Sequence, residues 1–252
     1  MPPPTSCEIA GGVATITLDL PEKRNALTAE LLDSLGDDLS RVGSLSSVRV
    51  VVLTHTGPTF CAGADIGGAG PGRVDLVSVL RLVQDMEKPV VARIAGGCFG
   101  GGIGLAAVCD ISVAGLAARF AFSEVRIGVA PAIISVVCLA KMRRSDAAEL
   151  FLTGAPFDAP RAVAVGLISR AVDPDELDHT VTEVVDHLLL GGPQALAAAK
   201  SLIGTVPGMG RDEAFDWTRS LSERLFSSTE AAEGIAAFRA RRPAPWVQPE
   251  ER

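Results

Sequence analysis

The chain has no dense run of basic residues, no histidine motif for a metal and no apolar stretch long enough for a membrane. Each absence removes a class of function. Positive charge gathers in short clusters such as Arg239-Ala240-Arg241-Arg242, and 23 Lys+Arg stand against 30 Asp+Glu, a formal net charge of −7. Such an acidic chain is a poor general binder of nucleic acid. His55, His179 and His187 do not cluster, and the latter two read as a solvated helix face rather than a metal site. Neither H-E-x-x-H nor G-x-S-x-G occurs, so zinc protease and serine hydrolase readings lack support. Cys7, Cys61, Cys98, Cys109 and Cys138 are odd in number and show no C-x-x-C spacing. Most are expected to be small buried hydrophobes in a reducing compartment. The longest apolar run, Ala130 to Ala140, contains Pro131 and is too short to span a bilayer. The first residues have neither a basic nor an apolar signal region, so a signal peptide is not expected. The expectation is a soluble, cytoplasmic protein.

What is present points to a layered α/β chain. Nearly half the residues (48%) are apolar, enough for a sizeable core. Ile9 and the run Val13 to Leu18 predict a hairpin turned at Gly11-Gly12. Leu31, Leu32, Leu35, Leu39 and Val42 recur at helical spacing, with Thr28 as N-cap and Gly43 as a stop. Val48 to Leu53 reads as a buried strand, Gly67 to Gly72 as a flexible connection and Val74 to Met86 as a helix. Pro89 opens another strand, Gly100-Gly101-Gly102 enters a short helix to Val108, and Ile111 to Ala114 is again a strand. The recurring strand, strand, helix order suggests internal repetition. After Val172 the texture becomes helical, broken at Gly191-Gly192-Pro193. The expected division is a core over 1–192 and a helical region over 193–252.

Two glycine-rich stretches, Phe60-Cys61-Ala62-Gly63-Ala64-Asp65 and Gly100-Gly101-Gly102-Ile103-Gly104-Leu105, each follow a β-branched run. Small residues there let backbone N–H groups come close to a ligand, and two converging on one carbonyl oxygen make an oxyanion hole. Close packing of helix on strand would use the same glycines, and spacing alone does not choose. The second stretch fits neither G-x-G-x-x-G nor the P-loop pattern. Glu124 lies in Phe122-Ser123-Glu124-Val125, where an apolar setting would suit a general acid or base. Its plainer alternative is a surface pair with Arg126 or Arg119. Lys23 and Arg24 either hold a phosphate or form a solvated basic turn.

Taken together these segments resemble the enoyl-CoA hydratase/isomerase (crotonase) superfamily. The resemblance runs through Ile16 to Leu27, Val51 to Asp65, Lys88 to Ile111, Phe122 to Pro131 and the tail Gly234 to Phe238. It implies an α/β fold, a spiral of β-β-α repeats with a helical C-terminal region that builds trimers or dimers of trimers. It also implies an acyl-CoA substrate whose thioester oxygen accepts the N–H groups of Ala64 and Gly101, with Glu124 as acid/base. Lys23, Arg24, Ala26, Ala62, Asp65 and Ile66 would lie near the CoA, with Phe238 and Arg241 approaching from the tail. Coenzyme A belongs to the substrate, so no separate cofactor, metal, membrane or nucleic-acid partner is expected.

One position departs from the family pattern. Hydratases of this family usually carry two glutamates, the second three residues after Gly101, and here that residue is Gly104. The first reading is an enoyl-CoA hydratase acting on 2-enoyl-CoA thioesters in fatty-acid or related acyl-CoA catabolism. A Δ3-Δ2 enoyl-CoA isomerase with a single glutamate is the second. A non-catalytic acyl-CoA-binding protein is the third. Apolar residues in Val74 to Met86 and Ile133 to Leu139 are expected to shape the acyl pocket.

Overall fold

The computed structural model describes residues 3–67, 70 and 72–247. Strands β1 (Thr5–Ala10) and β2 (Val13–Leu18) form the expected antiparallel hairpin. Gly11 and Gly12 turn it at φ +55° and +80°, the left-handed conformation that suits the twist of a two-residue hairpin loop. Along β2 only alternate residues, Ala14, Ile16 and Leu18, are buried, as the pleat requires. Helix α1 (Ala29–Ser44) follows. Thr28 Oγ1 accepts the Leu31 N–H at 3.2 Å, and Leu31, Leu35, Leu39 and Val42 form the buried stripe. The helix runs just past Gly43 because Lys88 Nζ donates to the carbonyls of Val42 and Leu45, satisfying its end.

The chain then repeats one unit. Long strand β3 (Val50–His55), short strand β4 (Thr59–Cys61) and helix α2 (Leu76–Asp85) make the first. Strands β5 (Val90–Ile94) and β6 (Gly97–Phe99) with helix α3 (Gly101–Val108) make the second. Strands β7 (Ile111–Gly115) and β8 (Arg119–Ala121) with helix α4 (Ala132–Leu139) make the third. Helix α5 (Arg144–Thr153), strand β9 (Phe157–Asp158), helix α6 (Ala159–Ala164) and strand β10 (Arg170–Val172) complete the core. Long strands enter a six-stranded sheet of order β1-β2-β3-β5-β7-β10, and short ones a four-stranded sheet of order β4-β6-β8-β9. Each repeat therefore contributes one strand to each sheet, and all pairs from β2 to β10 in the larger sheet are parallel. Parallel strands are covered on both faces. Phe60, Ile94 and Ile103 lie in the main core, while Val50, Val52 and Val113 pack against α7 (Leu177–Leu189).

The helix expected over Val74 to Met86 begins only at Leu76. Asp33 Oδ1 takes the Val74 N–H at 2.7 Å, and Asp75 Oδ1 caps the helix by accepting the Ser78 N–H at 2.7 Å. Of the connection expected before it, Gly68, Ala69 and Pro71 lie outside the described residues. Beyond Gly191-Gly192 come α8 (Pro193–Thr205), α9 (Arg211–Phe226) and α10 (Thr229–Arg239). Lys200 on α8 ties them to the core through Asp110 at 2.9 Å and the carbonyls of Val83 and Lys88. Arg49 Nη1 donates to the Trp246 carbonyl at 3.0 Å, and Trp246 Nε1 to that of Leu190 at 3.0 Å.

Asn25 locks the turn between β2 and α1 to the start of the second sheet. It is fully buried, its Oδ1 accepts the Leu20 N–H at 2.8 Å, and its Nδ2 donates to the carbonyls of Thr56 and Thr59. Asn25→Ala leaves these backbone groups without partners, at roughly 1–3 kcal/mol for each one that stays buried. A lowered thermal midpoint is expected, and a midpoint equal to the parent's would show that the lock is dispensable.

Candidate active site

The turn after β2 fixes the first glycine loop. The Arg24 carbonyl accepts the Ala62 N–H at 3.0 Å, and the Gly63 carbonyl accepts the Leu27 N–H at 2.8 Å. Among the described residues no acceptor meets the N–H of Ala64, whose residue is exposed. The second loop enters α3 at Gly100, whose backbone (φ +49°, ψ −121°) is a conformation that only glycine adopts easily. Its N–H donates to the Ala121 carbonyl at 3.1 Å, anchoring the turn to β8. Gly101 then begins the helix, so its N–H has no intrahelical acceptor and carries part of the positive end of the dipole.

The two loops touch. A Cβ added to Gly63 would stand 3.3 Å from the Gly101 nitrogen and 3.0 Å from the Phe99 carbonyl oxygen. On the other side, a Cβ added to Gly100 would stand 3.1 Å from Glu124 Oε1. The start of α3 thus has the first glycine loop against it at Gly101 and the Glu124 carboxyl against it at Gly100. Leu27 and Leu76 cover Gly101, where a Cβ would meet their methyl groups at 2.6 and 3.3 Å. Apolar cover of this kind lowers the local dielectric and strengthens any charge interaction inside.

Glu124 sits in a 3-10 turn, Ser123–Ile127. It pairs with neither arginine considered above. Arg126 donates to the carbonyls of Gly154 and Thr153, and Arg119 to those of Leu116, Ala117 and Ala118. Among the described residues Glu124 Oε2 is buried with no protein donor. Burial pushes the carboxyl above its ordinary range, opposed by its own backbone N–H. A half-buried carboxyl without a counter-ion is the form suited to moving protons near neutral pH.

Gly104 holds no acid and has no room for one. A Cβ there would lie 2.4 Å from Ile134 Cγ2 and 3.0 Å from Ile134 Cβ, so α4 packs directly on the glycine. Ile134 falls within the Ile133 to Leu139 stretch expected at the acyl pocket, but its contact with Gly104 spans thirty residues and two elements and was not legible in the sequence.

The other expected site residues are placed less closely. A cleft of about 660 Å³ is lined by Lys23, Leu27, Thr28, Glu30, Asp65 and Gly67 among others. Lys23 and Arg24 are exposed, and Arg24 stands at φ +53°. Ala26 and Ala62 are half-buried in the turn pairing, and Ile66 is 80% exposed beside Asp65. Phe238 is 85% exposed on α10, and among the described residues no hydrogen bond or ion pair joins it or Arg241 to these loops. Cys61, Cys98, Cys109 and Cys138 are buried, and burial pushes the thiols of Cys61, Cys109 and Cys138 up to about 12. They are inert at neutral pH. No metal-holding group of His, Cys, Asp or Glu occurs among the described residues, and none of their helices is long and apolar enough to cross a membrane.

A family model described as enoyl-CoA hydratase/isomerase matches residues 8–249. The chain is 30% identical over 241 residues to a short-chain-enoyl-CoA hydratase from Clostridium acetobutylicum, covering 92% of each. It superposes on the crystal structure of an enoyl-CoA hydratase from Mycobacterium smegmatis with a TM-score of 0.91 at 30% identity, covering 98% of this chain and all of that one. An enoyl-CoA hydratase from Mycobacterium avium is 39% identical with a TM-score of 0.74, covering 98% of this chain and 100% of the other.

Proposed function

The chain belongs to the enoyl-CoA hydratase/isomerase family, and from that premise we propose that it hydrates a 2-enoyl-CoA thioester with Glu124 as its acid/base. The observation that carries this reading is the meeting of the Gly63–Ala64 loop, the N-terminus of α3 and the unpaired Glu124 carboxyl. The thioester oxygen would accept the N–H groups of Ala64 and Gly101. As conjugate addition moves electrons onto that oxygen, donors fixed in advance stabilise the charge without reorganising. Glu124 would take a proton from water while the oxygen bonds to C3, then return it at C2.

Lys23 and Arg24 would hold the phosphates of CoA, and the cleft beside Lys23 and Asp65 gives the nucleotide a way in. Replacing both by alanine is expected to raise KM for acyl-CoA with kcat nearly unchanged, the pattern of uniform binding lost. Equal KM values would return them to a solvated turn. Helices α8 to α10 expose Ile203, Phe215, Phe226 and Phe238, an apolar set that fits assembly with further copies. A trimer or dimer of trimers is expected by light scattering on the eluted protein.

Loss of the absorbance of crotonyl-CoA tests the reaction. Tight CoA binding with no turnover on a broad panel of enoyl-CoA thioesters would overturn it. A second reading, proton transfer from C2 to C4 by Glu124 alone, is favoured by the packing of Ile134 on Gly104.

A further inference from the structure

We propose that Ile134 is the specificity-determining residue that limits how Glu124 uses water, and so sets the balance between hydration and double-bond shift. This rests on the reading of Glu124 as the acid/base. Gly100 is the N-cap of α3 and Gly104 lies four residues on in its first turn, so the two stand about one turn, roughly 5–6 Å, apart. Over Gly100 lies the Glu124 carboxyl, and over Gly104 lies the Ile134 side chain. The ground next to the carboxyl along α3 is therefore hydrocarbon.

Ile134 is 2% exposed, and Cys138, one turn further along α4, is fully buried. Gly104 contributes no side chain. This wall offers no group to fix a water, which needs about 2–4 polar partners to be held. A double-bond shift needs none: Glu124 removes a proton from C2, the thioester oxygen carries the enolate charge, and the same proton returns at C4. Hydration additionally requires a water placed over C3. Ile134 therefore handicaps hydration and leaves proton transfer intact.

The test measures hydration of crotonyl-CoA and isomerisation of 3-hexenoyl-CoA for the parent, Ile134→Val, Ile134→Ala and Ile134→Ala/Gly104→Glu. Shortening the side chain opens the wall, and the ratio of hydration to isomerisation is expected to climb through the series, by about tenfold at Ile134→Ala. The double variant, with a carboxyl in the vacated space, is expected to stand highest. KM for both thioesters should move little, which separates the effect from general loosening of the site. Ile134→Val removes a single methyl group and decides the matter if the larger changes prevent folding. A ratio that stays within about twofold across the folded variants would overturn the proposal. Glu124→Gln in the same assays tells the two readings apart. Retained turnover there would sink the acid/base reading and this one with it, whereas a dead Glu124→Gln beside a flat ratio would sink Ile134 alone.

Discussion

Glu124→Gln is expected to lower kcat by about 10²–10⁴-fold while acyl-CoA affinity changes little. Glutamine keeps the shape and the hydrogen-bonding capacity of the side chain but cannot accept and return a proton. Turnover within a few-fold of the parent would remove Glu124 from the chemistry. The same substitution has a consequence for stability that runs the opposite way. Burial raises the carboxyl pKa in the folded chain, so the folded state holds this proton more tightly than the unfolded one. Its contribution is fully present below the unfolded carboxyl's range and is lost as pH rises through the raised folded value. Above that value the ionised group is a cost of folding, and Glu124→Gln removes it. The variant should therefore melt at or above the parent's midpoint near neutral pH, with the difference closing in acid. The limb of the activity profile due to Glu124 should likewise lie above the ordinary carboxylate range. A variant that is both less active and less stable at neutral pH would point to a structural role.

The elements legible in the sequence were those whose signal is local. The alternation of Val13 to Leu18, the Gly11-Gly12 turn and the Leu31-Leu35-Leu39-Val42 stripe each fit one period, and each appears where that period puts it. The second sheet was not legible as such. Strands β4, β6 and β8 have three residues each, too few to show a period, and they exist because neighbouring repeats pair with them. Helix α5 carries charge around much of its surface and gave no apolar stripe to read. The site divides in the same way. Glycine content marked both loops, and Glu124 stood out between apolar neighbours. That Gly63 abuts Gly101, that Glu124 has no arginine partner and that Ile134 covers Gly104 are long-range contacts, which no window of sequence contains.

Gly63→Ala is expected to separate the two backbone donors and lower kcat by about 10²–10³-fold, the loss seen when one oxyanion donor is removed. Gly63 stands at φ +87°, where an L residue is strained by about 1–3 kcal/mol. Its new methyl group would press on the Phe99 carbonyl oxygen and the Gly101 nitrogen, both backbone atoms that no rotamer can move aside. The first loop is held from behind by the Arg24 and Leu27 hydrogen bonds, and the second by Gly100 to Ala121. Relief therefore has to come as a shift of one loop relative to the other, which is the coordinate that a two-donor hole cannot tolerate. Binding of the nucleotide end draws on other residues, so KM should rise far less than kcat falls. Gly204→Ala in α8 is the control: it has open space, no positive φ and no place near the loops, and it should leave kcat unchanged. A folded Gly63→Ala protein with the parent's kcat would show that Ala64 and Gly101 do not act on one oxygen, and would leave close packing as the reason for the glycines.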